Sequence, residues 1–318
     1  MMQVRGMIPP FVAALLMTGF AMTGFVYAAP SDSGAALRFV HDQRGATPPH
    51  AASTPPRPGV FTLPGVELPA AQDTPPASED LAKKLQNPVA DLISVPLQLN
   101  YDHGYGPDDA ERWTLNIQPV IPFSISEDWN LISRTIVPII YAEGLSDTDD
   151  SDVGIGDTVQ SLFFSPKEPV GGDGWILGFG PVALLPTGTD PDLRAEQLAL
   201  GPTGVALRQQ GGWTYGLLFN HLWGVAGSGD VPDVNATFLQ PFASYTFETK
   251  TTLTLNTEST YDWRTHDWTI PINLSVSQLT GVGSQPISLQ FGARYYAERP
   301  GGGPDVGLRF GLTFLFPN

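Results

Sequence analysis

From Trp213 to Tyr261 the chain reads as two hairpins whose strands largely alternate in polarity. Trp213, Tyr215, Leu217, Phe219, His221 and Trp223 share one parity, with Thr214, Gly216 and Asn220 on the other. After an acidic, glycine-containing loop and a tight turn at Glu248–Thr251, Leu253, Leu255, Tyr261 and Trp263 alternate with Thr254, Asn256, Glu258 and Thr260. A period of two sends these sets to opposite faces of a sheet. In a soluble sandwich the apolar face lies inward, and in a membrane barrel it lies outward.

The rest of the chain decides between the two. From residue 91 to residue 316 about twelve strand-like segments follow one another with no long helix. Tight connections at Ser126-Glu127, Gln210-Gly211 and Thr249-Lys250 alternate with longer ones at 102–111, 143–151, 187–197 and 227–233. Short turns at one end and long loops at the other are the pattern of an outer-membrane barrel, from which Pro166–Gly174, long on the short-turn side, and Arg264–Asp267, short on the other, depart. All seven tryptophans fall near segment ends: Trp113, Trp223, Trp263 and Trp268 beside the longer loops, Trp129, Trp175 and Trp213 at the other end. Indole prefers the membrane interface, whereas a sandwich core would hold tryptophan in mid-strand. The expected fold is therefore all-β, a transmembrane antiparallel up-and-down barrel of about twelve strands.

Prolines strain this reading. Pro181, Pro202 and Pro241 fall in mid-strand, where a missing N–H removes a ladder bond. Bulges at Gly180-Pro181 and Gly201-Pro202 are expected to absorb two of them. The last segment, with Val306, Leu308, Phe310, Leu312, Phe314 and Phe316 on its aromatic-rich face, resembles the strand recognised by barrel-assembly machinery, except that Pro317 and Asn318 follow the final Phe.

Ahead of the barrel, residues 1–28 read as a cleaved secretory signal, with Arg5, an apolar Phe11–Val26 run and a Val26-Tyr27-Ala28 cleavage rule. Residues 29–77 are rich in Pro and Ala and read as a disordered spacer. Residues 78–90 read as a short periplasmic helix, a lid or collar stopped by Asn87-Pro88, with the barrel over 91–318. A net charge of −16 argues against nucleic acid as a partner. The absence of cysteine excludes disulfide and thiolate chemistry. After the N-terminus no run approaches the ~20 apolar residues of a spanning helix.

Whole phrases of the chain resemble a bacterial family: Leu92-Ile93-Ser94-Val95-Pro96, Asn116-Ile117-Gln118-Pro119, Trp129-Asn130-Leu131-Ile132-Ser133-Arg134-Thr135, Gly154-Ile155-Gly156-Asp157, Leu253-Thr254-Leu255-Asn256-Thr257-Glu258-Ser259 and Ala293-Arg294-Tyr295-Tyr296. They resemble outer-membrane proteins grouped with the meta-cleavage phenol-degradation pathway and labelled transporters. Some relatives carry the label neuromedin U, an animal neuropeptide name that nothing in this sequence supports. The resemblance spans about residues 80–318. It implies a barrel in the Gram-negative outer membrane, among lipid and lipopolysaccharide, with aromatic or other hydrophobic small molecules as cargo.

By parity, Gln98, Asn100, Asn116, Gln118, Arg134, Asn256, Glu258, Asn273, Gln290, Arg294 and Arg309 point into the lumen, and Glu258 facing Arg294 and Arg309 suggests a charge-paired constriction. The competing reading of the same residues is a satisfied network that only stiffens the wall. Three function classes follow: a passive channel for small molecules, a closed structural or adhesive barrel acting through loops or spacer, and a lipid-active enzyme. The enzyme reading is the weakest, because His221 lies on the lipid-facing parity with no serine and asparagine motif beside it. His103 and His266, read as loop residues beside Asp102 and Asp267, offer metal-ligand chemistry, and the acids Glu143, Asp147, Asp149, Asp150 and Asp152 offer a calcium site near lipopolysaccharide, but the acids are read as a solvated loop instead. No cofactor, catalytic residue or metal site is expected.

Overall fold

The structure is a computed structural model that describes residues 77–105, 109–143, 151–227 and 233–317. The expected signal segment, nearly all of the expected spacer, and Asp147, Asp149 and Asp150 lie outside the described residues. The described chain begins with α1 (Ala77–Lys84). Fifteen strand segments follow: β1 (Ile93–Tyr105), β2 (Ala110–Ile117), β3 (Val120–Ser124), β4 (Trp129–Glu143), β5 (Ser151–Ile155), β6 (Thr158–Pro166), β7 (Trp175–Leu185), β8 (Gln197–Gln210), β9 (Trp213–Gly227), β10 (Asn235–Thr246), β11 (Thr251–Thr257), β12 (Ser259–Asp262), β13 (Asp267–Val282), β14 (Gln285–Glu298) and β15 (Val306–Phe316). The pairs β2–β3, β5–β6 and β11–β12 are each one strand with a break, so the wall has twelve strands. Every pairing is antiparallel, and β1 pairs β15 from Ile93↔Phe316 to His103↔Val306. That seam closes the sheet into a barrel and leaves it without an edge.

Two of the breaks have backbone causes. At Glu258 the residues opposite are Pro271 on β13 and the Gln240-Pro241 step on β10, so the wall loses donors from both neighbours, and Glu258 N–H still donates to Pro271 O at 3.3 Å. Between β5 and β6 the register against β4 slips by one residue, from Ile139↔Ile155 to Ile136↔Val159. The expected bulges at Pro181 and Pro202 are absent. The two prolines face each other directly across β7 and β8 in unbroken register. Each interrupts the ladder to its outer neighbour instead, between Ser161↔Val182 and Phe164↔Phe179 and between Leu200↔Trp223 and Thr203↔Asn220. Glycine makes this possible. A Cβ on Gly180 would collide with the carbonyl oxygen of Leu162, and one on Gly201 with that of His221.

The helix ends at Lys84, earlier than the sequence suggests, because Asn87 Oδ1 captures the N–H of Val89 at 3.0 Å in a turn around Pro88. Leu81, Ala82 and Leu92 pack with Leu279 and Leu315 at the short-turn end of the barrel. Val89 goes further and packs among Phe163, Val205 and Leu207 of the inner wall. Residues 81–92 therefore form an inserted plug rather than a collar.

Candidate functional site

Polarity is inverted across the wall. On β13, Ile272, Leu274 and Val276 are 38–52% exposed, while Asn273, Ser275 and Ser277 between them are buried. A soluble core would place the apolar set inside.

The interior itself has two halves. Strands β4 and β6 to β10 contribute Ile132, Ile136, Phe163, Leu207, Leu218, Leu222 and Phe238, all buried. Strands β11 to β15, β1 and β2 contribute Asn256, Glu258, Asn273, Gln290, Arg294, Arg309, Gln98, Asn100 and Asn116, all buried as well. The apolar half was not read from the sequence. Its signal is the loss of alternation in runs such as Leu162-Phe163-Phe164 and Val205-Ala206-Leu207, apolar on both faces.

Glu258 stands at the centre of the polar half with its side chain fully enclosed. Arg309 grips it through two parallel bonds, Nη1 to Oε1 at 2.9 Å and Nη2 to Oε2 at 2.8 Å. Arg294 Nη2 lies 3.9 Å from Oε2 and turns its other nitrogen, Nη1, to Asp102 Oδ2 at 3.3 Å. Tyr296 Oη donates to Asp102 Oδ1 at 2.9 Å. Arg309 Nε donates to Asn100 Oδ1 at 2.8 Å, and Gln98 Nε2 donates to the same oxygen at 3.2 Å. Asn273 Nδ2 donates to Asn256 Oδ1 at 2.8 Å, and Gln290 Nε2 to Ser275 Oγ at 2.9 Å. Asn116 is fully buried, and its amide makes no hydrogen bond among the described residues. Arg134 Nη2 donates to Gln118 Oε1 at 3.2 Å. Bidentate guanidinium–carboxylate pairs combine charge with fixed geometry, and in an enclosed site each partner depends on the other.

Asp102 corrects the reading of 102–111 as loop. It lies in β1, buried, two residues beyond Asn100 on the same parity, and His103 beside it is also in the strand. Its pairing with Arg294 and Tyr296 carries the strand on to Tyr105. The parity of Gln98 and Asn100 is the signal that would have found it.

A cavity of about 150 Å³ occupies the long-loop end, between Arg112, Arg294 and Tyr296 on one side and Ile140, Leu184 and Leu193 on the other. Leu193, in a single 3-10 turn (Pro191–Leu193), packs on Ile140 and Ala142. Asp157 clamps this inward-folded loop by accepting the N–H of Gly188 at 2.9 Å and of Ala195 at 2.6 Å. At the short-turn end a cavity of about 50 Å³ includes Arg134 and Gln118. Among the described residues, the two cavities share no lining residue.

Trp129, Trp175 and Trp213 begin their strands at the short-turn end, while Trp113, Trp223, Trp263 and Trp268 lie toward the other. Trp213 stacks edge-on with Tyr245 at 5.1 Å, and Tyr261 lies 5.0 Å from Trp263 and 4.9 Å from Trp268. His221 belongs to this rim. Its Nδ1 pairs with Thr237 Oγ1 at 2.7 Å, which also accepts from Trp263 Nε1 at 2.8 Å, and its same-face strand neighbours are Phe219 and Trp223. Among the described residues, the carboxylates of Asp152, Asp190 and Asp192 lie close enough together to share a cation.

No family model matches the sequence, and no curated protein matches it. Solved structures do. An outer membrane channel from Pseudomonas putida F1 superposes with a TM-score of 0.56 at 12% identity, over 71% of this chain and 96% of that one. Outer membrane phospholipase A from Escherichia coli gives 0.44 at 12% identity over 74% and 97%, and a porin gives 0.34 at 11% identity over 71% and 99%. The fold is that of a twelve-stranded antiparallel outer-membrane-type β-barrel.

Proposed function

We propose that the chain is a channel of the Gram-negative outer membrane, exported by a signal over residues 1–28 and carrying residues 29–77 as a spacer ahead of the barrel. The observation that carries the reading is the inverted polarity. Leu253, Leu255, Leu274, Val276 and Phe291 are 44–52% exposed outside, whereas the Glu258, Arg294 and Arg309 side chains inside are 0–3% exposed. Charge on a lipid-facing surface costs several kcal/mol, and apolar surface of this extent in water invites aggregation. The tryptophans at the two ends fit the two membrane interfaces, with lipopolysaccharide around the outer one. The Pseudomonas putida protein with this fold is an outer membrane channel, which favours the same class here.

In this reading Gln98, Asn100, Asn116, Gln118, Arg134, Asn256, Glu258, Asn273, Gln290, Arg294 and Arg309 line the path. Assembly machinery takes the aromatic face of β15. The solutes are small, and the apolar half of the interior suits aromatic or other hydrophobic molecules. Purified full-length protein in a planar bilayer should give discrete conductance steps. Silent insertion would favour a closed structural barrel instead, a reading supported by the saturated Glu258–Arg309 pair and by two cavities without common lining.

A further inference from the structure

We propose that Arg134 is the centre of a binding site for the carboxylate of a small organic acid, set behind the plug at the short-turn end of the barrel. Arg134 lies on β4 and points inward, 6% exposed. Its hydrogen bond is to the neutral Gln118 Oε1, at 3.2 Å. Its Nε is buried without a partner, and among the described residues no carboxylate lies within ion-pair distance. Glu258, the acid whose field reaches it, is committed to Arg309 and Arg294. A guanidinium held this way carries a desolvation cost that an anion in the adjoining space would offset.

The adjoining space has the matching chemistry. Among the described residues, the cavity of about 50 Å³ that Arg134 lines has no acidic side chain on its wall, although the whole chain carries a net charge of −16. Lys84, exposed in the last turn of α1, adds a second positive charge at its edge. Gln118 and Ser94 offer polar groups beside the guanidinium, while Leu218 and Phe242 form an apolar side. A single water needs roughly 10–15 Å³ of such space. The volume therefore takes a carboxylate with a few carbons, the carbons against Leu218 and Phe242. The planar guanidinium fork matches a carboxylate's two oxygens, and one buried cation balances one negative charge.

The site deepens the channel reading and rests on it only for how the acid arrives. Calorimetry on full-length protein in detergent tests the site whether or not the barrel conducts. The probes are sodium propionate, neutral propionamide of nearly the same shape, and sodium chloride. Propionate should bind, propionamide should not, and chloride should compete only weakly. Arg134→Gln should weaken propionate at least about tenfold, the loss of one charge-assisted pair. Equal binding of propionamide, full competition by equimolar chloride, or unchanged affinity in Arg134→Gln would each overturn the proposal. If the Gln variant does not fold, Arg134→Lys decides: weaker propionate binding supports the fork, and unchanged binding refutes it.

Discussion

Replacing Glu258 by Gln removes the single carboxylate that both Arg309 and Arg294 approach. The Glu258 side chain has no exposure, and the two arginines have 2–3%, so solvent screening does little to soften the loss. Breaking one partner out of a buried ion pair costs about 3–5 kcal/mol. At roughly 2–4 °C per kcal/mol for a domain of this size, the midpoint should fall by about 6–20 °C. Tryptophan fluorescence during urea and thermal unfolding of the detergent-solubilised barrel measures it. A double-mutant cycle with Arg309→Gln should recover most of the loss as coupling, because the double variant leaves fewer charges unpaired. In a conducting barrel the same Glu258→Gln change leaves Arg294 and Arg309 less compensated and should move the reversal potential toward anion selectivity. A variant within about 1 kcal/mol of the parent, with unaltered selectivity, would refute the network and the inward parity on which it rests.

Further outcomes follow from other parts of the molecule. The protein should fractionate with outer membranes and migrate faster on SDS gels unheated than heated, and release by salt alone would contradict a membrane barrel. Deleting residues 29–77 should leave that heat-dependent shift intact. Asp157→Ala removes the acceptor for the N–H groups of Gly188 and Ala195, each bond to a charged group contributing about 1.5–3 kcal/mol. Limited proteolysis should then cut between residues 187 and 196 earlier than in the parent. Gly201→Val should abolish assembly, because its side chain would occupy the position of the His221 carbonyl oxygen.

The period of two carries the fold. It tells which residues share a face, and a chain with apolar outer faces, tryptophans at strand ends and alternating loop lengths has few architectures open to it. Twelve strands and their antiparallel order were legible for that reason. Inward parity was legible too: Gln98, Asn116, Asn256, Glu258 and Arg294 are all buried, and that they line a conducting path is the proposal made above. Strand order alone could not say which inward groups meet. Arg309 lies 51 residues from Glu258, and Asp102 lies 192 from Arg294. Those partners are set by closure of β1 on β15 and by the diameter of the ring. The apolar half of the interior escaped because runs apolar on both faces lose the alternation that assigns a side. The plug escaped because an eight-residue helix carries no mark of what it enters. Its place is decided by the greasy inner wall around Phe163 and Leu207, which gives Val89 somewhere to be buried.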